Sequence, residues 1–238
     1  DLPNTISISA FRLVQRRIAQ RAIEKLCEIK GDIDKVVIGK VVKEAEKETD
    51  EELYILGKTA IEKMNIGNLD KEFARITGRL QYRTSYGQNI MKHSQEVGWL
   101  ATMIASELGA NRDTCRISGF LHDLGKAIDQ DPGVDKPHDY LSKELMEKYG
   151  FSWEQVHAAW THHDAIPQET AEAIIVKAAD AISASRPGAR QESFDKYLER
   201  IRALQEVAES LEGVKKAFAL SAGREIRVIV DPEMINDK

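Results

Sequence analysis

Apolar residues recur every three or four positions along most of this chain and alternate at only two places. The first alternation is TISIS (5–9), a β-branched run that predicts a short strand. After it, FRLVQRRIAQRAIEKLCEI spaces Val14, Ile18, Ala22 and Leu26 by four, which predicts a helix with one apolar stripe. Gly31-Asp32 breaks that helix, and residues 33 to about 64 are helical again. Their middle, KEAEKETDEE, is almost purely charged and reads as a solvated connecting helix, with an acidic binding segment as the competing reading. From Ser85 the helices become compact: about 86–108, 112–124, 138–149, 152–164 and 168–185, then a longer one at about 190–211. The second alternation, KAFALSAG then REIRVIV around Ala222-Gly223, predicts a β-hairpin. The expected fold class is therefore all-α, a helical bundle with a short N-terminal strand and a C-terminal β-hairpin.

The 238 residues leave room for one large domain or two small ones and can bury a substantial core. A charged share of 31% with 6% aromatics agrees with a helical protein. A net charge of −5 does not attract polyanions over the whole surface, so any phosphate binding must be local. Cys27 and Cys115 lie far apart in helical contexts and are expected to be reduced core thiols; they suggest neither a disulfide framework nor a zinc ribbon. There is no signal peptide and no apolar run long enough to span a bilayer. A start at Asp1 rather than Met reads as that of a fragment and leaves an upstream membrane anchor open.

Chemistry concentrates in the helical middle, where all six histidines lie: 93, 122, 138, 157, 162 and 163. In GFLHDLGKAID, His122-Asp123 interrupts an apolar run at the end of a helix that Gly125 is expected to stop. A carboxylate there needs a partner, since burial without one is costly. His93 lies three after Ile90 and four before Val97, on the core side of its helix. Asp180 shares a small apolar face with Ala173, Val176 and Ala184, and His162-His163 follow Trp160 near a helix end. Imidazoles and carboxylates pointing inward from facing helices are how bundle cores build metal sites, and a divalent cation compensates both acids. A lone core histidine is more often a hydrogen-bonded structural residue, and His157, between Trp153 and Trp160, is assigned that role. Arg12, Arg16, Arg17 and Arg21 fall roughly on one side of a helix, as an RNA-facing or simply solvated face.

The order His93, His122-Asp123, Asp180, with FLHDLGK as its signature turn, resembles the HD superfamily of metal-dependent phosphohydrolases. Longer stretches, GRLQYRTSYGQNIMKHSQEV (78–97), LHDLGKAID (121–129), THHD (161–164), AADAISASRPGAR (178–190) and AGREIRVIV (222–230), resemble the ribonuclease Y family of bacterial endoribonucleases. The likeness covers about 78–238, and TISIS with its basic helix resembles the last strand and helix of that family's K-homology RNA-binding domain. It implies a K-homology remnant at 1–30, a helical linker at 31–78, an HD domain at 79–190 and a C-terminal helix and hairpin at 191–238. The family's anchor and coiled coil are not among these residues, nor is the GXXG loop with which K-homology domains clamp RNA. The family usually reads SHHGD where this chain has Thr161-His162-His163-Asp164, and the loop DPGVDKP before His138 also departs; both affect the substrate rim rather than the metals.

Carried over by position, the seven-ligand HD pattern implies two divalent ions, which the spacing alone does not divide. His93, His122, Asp123 and Asp180 would hold the first and His138, His162 and His163 the second, with Asp123 bridging. Two carboxylates and five imidazoles suit Mn or Fe, with Mg, Zn and Ni also compatible, and no thiolate is at hand for a structural Cys-type zinc site. The implied activity is hydrolysis of single-stranded RNA in mRNA decay, with a bridging hydroxide as nucleophile and Asp123 and Lys126 as catalytic residues. Lys126 first, then Arg186 and Arg190 of RPGAR, would bind the phosphate oxygens; otherwise Lys126 is a solvated cation, and the arginines are solvated too or clamp the Pro187-Gly188 turn. The competing functions are a cyclic dinucleotide phosphodiesterase, although RPGAR stands where one such branch carries Gly-Tyr-Pro, and a non-catalytic scaffold of an RNA-decay complex. Expected partners are single-stranded RNA, a second copy in a homodimer and RNA-decay proteins. The expected location is cytoplasmic, with the full-length protein tethered to the inner face of the membrane.

Overall fold

The computed structural model describes residues 5–67, 70–164, 166–186, 189, 194–220, 225–231 and 234, and the backbone alone at 194–200, 220 and 225. The chain forms two compact units, residues 1–189 and 190–238.

The first unit opens with α1 (Leu13–Glu28) and α2 (Lys35–Lys63). Asp34 caps α2 by accepting a hydrogen bond from Val37 N at 2.8 Å. The two helices run antiparallel, as their ion pairs show. Arg17 meets Glu52 at 3.6 Å, Arg21 meets Glu48 at 3.8 Å and Lys25 meets Glu44 at 3.7 Å, each step forward on α1 being a step back on α2. Between them Ala22, Val41 and Ala45 form a small buried cluster. The charged stretch of α2 is thus solvated on its outer side only, since Ala45, Thr49 and Leu53 turn inward every fourth residue. The basic face of α1 is largely committed within the protein: Arg17 and Arg21 to α2, and Arg12 to Asp131 at 3.6 Å. Cys27 is exposed near the end of α1, contrary to the expected core thiol, whereas Cys115 is buried. Residues 5–9 form no strand: a strand needs a neighbour's ladder, and among the described residues none pairs with them.

Next comes a helix the pattern did not announce, α3 (Lys71–Arg79), capped by Asp70 and packing Phe73 against Tyr149 and Phe151. SYGQN is a two-residue hairpin, β1 (Thr84–Ser85) and β2 (Gln88–Asn89). Its turn residues Tyr86 and Gly87 have φ of 49° and 82°, as a primed turn requires. Asn89 then caps the following helix through Lys92 N, which explains why α4 (Ile90–Leu108) starts four residues later than the apolar spacing suggested.

The bundle proper is α4, α5 (Arg112–Leu121), α7 (Trp153–Trp160) and α8 (Ala171–Ser185), with α6 (His138–Lys148) across one end. Val97, Ala101, Ala105, Cys115, Ala158 and Val176 make one buried layer between these helices; Phe73, Leu80, Phe120, Leu121, Leu124 and Met146 make another. Helices α4 and α5 cross where two glycines meet. A Cβ on Gly119 would stand 2.9 Å from Gly98 Cα, so only this pair lets the backbones approach so closely. That crossing brings the His93 and His122 rings to 5.1 Å between centroids.

The second unit contains α9 (Phe194–Glu209) and an antiparallel hairpin, β3 (Val214–Leu220) with β4 (Glu225–Val230), in register from Lys216↔Ile229 to Leu220↔Glu225, with a register shift between Lys216 and Val214, which pairs with Val230. Gln205 and Glu209 of α9 hydrogen-bond the backbone of Ala217. The expected turn at Ala222-Gly223 lies outside the described residues. The mostly-α class with a C-terminal hairpin is as the sequence suggested. Among the described residues no helix is long and apolar enough to cross a membrane.

Candidate metal centre

Five segments of the bundle deliver seven side chains to one place. α4 brings His93. The end of α5 brings His122 and Asp123, the first turn of α6 brings His138, a 3-10 turn (Thr161–His163) after α7 brings His162 and His163, and α8 brings Asp180. His122 caps α5 in helical geometry, and Asp123 leaves it at φ −100° and ψ 13°, leading into a second 3-10 turn (Leu124–Ala127). Gly125 is not the left-handed helix stop expected from the sequence. It is glycine because an added Cβ would collide with the His138 carbonyl, so the turn and the start of α6 touch backbone to backbone. Ser142 fastens that contact: its fully buried Oγ accepts from Gly125 N at 2.8 Å and reaches the His122 and His138 carbonyls at 2.8 and 2.9 Å.

Asp123 is central, and its two oxygens face different neighbours. Oδ2 lies 3.5 Å from His122 Nε2 and 3.8 Å from His93 Nε2, while Asp180 Oδ1 lies 3.0 Å from His93 Nε2 and 3.7 Å from His122 Nε2. Oδ1 lies 3.4 Å from His138 Nε2 and 3.9 Å from His162 Nε2, and His163 Nε2 lies 3.1 Å from His138 Nε2. The potential ligand atoms of His93, His122 and Asp123 fall within 4.8 Å of one another, as do those of His138, His162 and His163. The side chains thus gather in two groups, one about each oxygen of Asp123.

The hydrogen bonds also fix which atoms face inward. His122 Nδ1 is 2.8 Å from Gly119 O, and His162 Nδ1 is 2.6 Å from Ala159 O. A carbonyl only accepts, so both Nδ1 atoms carry the proton and both Nε2 lone pairs point to the centre. His122 Nε2, His162 Nε2 and Asp123 Oδ1 are buried without a hydrogen-bond partner among the described residues. Three orphaned acceptors converging in one dry place are costly, and a divalent cation satisfies all of them. Protonation agrees. Burial pushes His122 below its ordinary value, burial with neighbouring His122 pushes His162 well below, and burial pushes His138 down to about 4. Burial alone would raise Asp123, but His122, Lys126 and His162 outweigh it and hold the carboxyl well below the usual range. Asp180 is likewise held low against burial by its hydrogen bond to His93 and by His122. Neutral imidazoles and ionised carboxylates are the forms a metal requires, so the residues present fit the cation.

The other expected residues fare differently. Lys126 lies at the site, its Nζ 2.7 Å from Asp123 Oδ2. Arg186 is half-exposed and donates from Nε to Glu96 Oε1 at 2.7 Å. Arg190 and the Pro187-Gly188 turn lie outside the described residues. His157 stays out of the centre, stacked on Trp153 at 4.8 Å with Nε2 3.3 Å from Pro167 O. Asp164, where the resembling family has glycine, adopts the left-handed conformation with φ 61°, which aspartate tolerates better than most residues. Sequence reasoning missed Ser142, Ser183 and Glu96. Ser183 Oγ lies 2.9 Å from His93 Nδ1 and 2.8 Å from Glu96 Oε2. The available signals were Ser142 four after His138 and Ser183 three after Asp180, each on the same helix face as its neighbour.

The family model described as HD domain matches residues 90–185, the segment that carries the seven converging side chains. Along its whole length the chain is homologous to ribonuclease Y. It is 44% identical over 237 residues to ribonuclease Y of Thermoanaerobacter pseudethanolicus, covering 100% of this chain and 46% of that protein. With the ribonuclease Y of Clostridium novyi the identity is 43% with the same coverage, and with that of Alkaliphilus metalliredigens it is 44%, covering 49% of the relative. The chain spans about half the length of the curated relatives it matches. No solved structure matches significantly.

Proposed function

We propose that this chain is the hydrolytic part of a metal-dependent endoribonuclease that cleaves single-stranded RNA in mRNA decay. The observation that carries this reading is the convergence of seven potential ligands with three buried, unpartnered acceptors among them; the homology to ribonuclease Y supplies the substrate class. His93, His122, Asp123 and Asp180 would hold one ion, and His138, His162 and His163 a second. One Asp123 oxygen faces each group of histidines. Five imidazoles with two carboxylates favour Mn or Fe over Mg or Ca. When bound, such ions supply Lewis acidity, acidifying water and neutralising charge on the phosphate.

The chain's own residues do the rest. Lys126 uses one N–H to hold Asp123 Oδ2 at 2.7 Å, which orients the carboxylate. Its remaining N–H bonds face the phosphate oxygens, where negative charge grows as the P–O bond breaks. Arg186 and Arg190 bind flanking phosphates. Burial of His122 and His162 keeps water away from their lone pairs and keeps them unprotonated. The K-homology remnant, the homodimer and an inner-membrane tether complete the reading carried from the sequence.

The test is RNA cleavage by purified protein with bound metal quantified, beside the His122→Ala/Asp123→Ala double variant. Hydrolysis by water leaves a phosphate on one end and a hydroxyl on the other, and the double variant loses both metal and cleavage. Cyclic-phosphate ends with chelator-resistant activity would refute this mechanism. Turnover of cyclic dinucleotides in place of RNA would assign the centre to a nucleotide phosphodiesterase, and no turnover in a metal-free wild type to a scaffold.

A further inference from the structure

A cavity of about 520 Å³ lies between α1 and α2 on one side and the end of α3, Arg83 and the 3-10 turn of Lys126 on the other. That volume falls within the roughly 300–1,000 Å³ of ordinary small-molecule sites. Its wall is chemically divided. Leu13, Val14, Ile18, Ala22 and Val42 of α1 and α2 supply an aliphatic floor. Around it stand four cations, Arg12, Arg79, Arg83 and Lys126, against two carboxylates in the wall, Glu46 and Asp131. Asp123 and Asp129 pair with Lys126 and Arg83 at 2.7 and 2.8 Å but do not line the cavity. Arg79 gives one nitrogen to Asp131 at 2.8 Å, and Arg12 reaches the other oxygen of that carboxylate at 3.6 Å. A guanidinium carries five N–H donors, so these pairs do not use them up.

Lys126 joins this cavity to the metal centre, because it lines the one and holds Asp123 Oδ2 of the other at 2.7 Å. A ligand suited to the wall has an apolar body and a strongly anionic end. A nucleoside monophosphate has both: a base that lies flat on aliphatic side chains, and a phosphate of about −1.5 to −2 charge that arginine forks hold with paired hydrogen bonds. Gln15 and Gln130 offer amide donors and acceptors to the edge of the base. A fatty acid carries a single charge and has no such edge. We propose that the cavity is a nucleotide-binding site adjoining the metal centre, with the base against Val14, Ile18 and Val42 and the phosphate against Arg79, Arg83 and Lys126. The nucleotide has two sources, a residue of bound RNA beside the cleaved bond or a free nucleotide that regulates cleavage. The first source rests on the proposed activity; the cavity assignment does not.

Titration calorimetry of the purified chain with AMP, adenosine and ribose 5-phosphate tests this. AMP is expected to bind about tenfold or more tighter than either half. Ala19→Trp places an indole in the cavity from a partly buried wall position, and Gln15→Trp covers it from an exposed one. Each lowers AMP affinity by about tenfold or more, whereas a phosphate held by the metal centre would be unaffected. Circular dichroism reports folding, and Gln15→Trp carries the test if Ala19→Trp fails to fold. Arg79→Gln removes a hydrogen bond from a charged donor and costs about 10–100-fold. RNA cleavage separates the two sources. With an RNA residue in the cavity, one abasic residue beside the cleaved bond lowers kcat/KM by about tenfold in the wild type and not in Gln15→Trp. With a free nucleotide, abasic residues have no effect, and AMP changes the cleavage rate of the wild type but not of Gln15→Trp. AMP bound no tighter than its halves, or bound equally by the wild type and a folded cavity variant, overturns the proposal. AMP bound in the cavity of a chain that cleaves no RNA refutes the proposed activity and leaves the cavity assigned.

Discussion

Ser142→Ala isolates the joint that holds the two halves of the site together. The hydroxyl is fully buried, accepts from Gly125 N at 2.8 Å and donates to the His122 or the His138 carbonyl. Alanine fits the space but strands the amide, which costs about 1–3 kcal/mol, and deletes one donated bond worth about 1 kcal/mol. A loss of about 3 kcal/mol follows, or roughly 6–12 °C in Tm for a unit of this size. Ser94 is the matched control: it is equally buried, one residue from His93, but its Oγ has no hydrogen-bond partner among the described residues. Ser94→Ala removes an unsatisfied group and should leave stability unchanged or raise it by up to about 1 kcal/mol. Calorimetry in chelator measures both without interference from metal. Equal losses in the two variants would refute the reasoning, since burial of a serine rather than its bonds would then set the cost.

Gly125→Ala should lose more than Ser142→Ala, because its Cβ meets the His138 carbonyl rather than a side chain that can turn away; urea titration ranks the two. The metal-free protein should weaken in acid. His138 titrates at about 4 when folded and near 6.5 when unfolded, so the unfolded chain takes up the proton first. Stability is then complete above about pH 6.5 and falls as pH drops toward 4, with the depressed values of His122 and His162 acting in the same direction; chelated protein unfolded across that window should show it. Mn(II) at a hundred times its dissociation constant should restore about 2.7 kcal/mol in a thermal shift, and not in His122→Ala. His157→Gln should keep the full metal content, since its ring contacts Trp153 and Pro167 rather than the centre.

The sequence displayed the site better than the parts that frame it. His93 and Asp180 could be placed inward because helical period fixes which face a residue occupies, and His122-Asp123 stood out within an apolar run. What periodicity cannot give is the distance between helices, so the division of ligands between the two oxygens of Asp123 appeared only in three dimensions. Gly125 looked like a helix stop; its actual constraint is a carbonyl thirteen residues away in sequence, which no local pattern encodes. α3 escaped notice because its apolar face rests on only Phe73, Ala74 and Ile76, although Asp70 offered a cap. The TISIS strand was inferred from propensity, but a strand is a property of a pair. The charged run of α2 reads as wholly solvated because Ala45 and Thr49 inside it, with Leu53 just after, are outweighed by eight charged residues.

The most direct test is the number of Mn(II) ions bound per chain at neutral pH, counted by native mass spectrometry in the wild type and in Asp123→Ala. Two ions in the wild type and a loss of both in the variant are expected, because one carboxylate serves the two trios of ligands. A wild-type chain that takes up no ion, or an Asp123→Ala chain that binds two as tightly as before, would contradict a shared cationic centre.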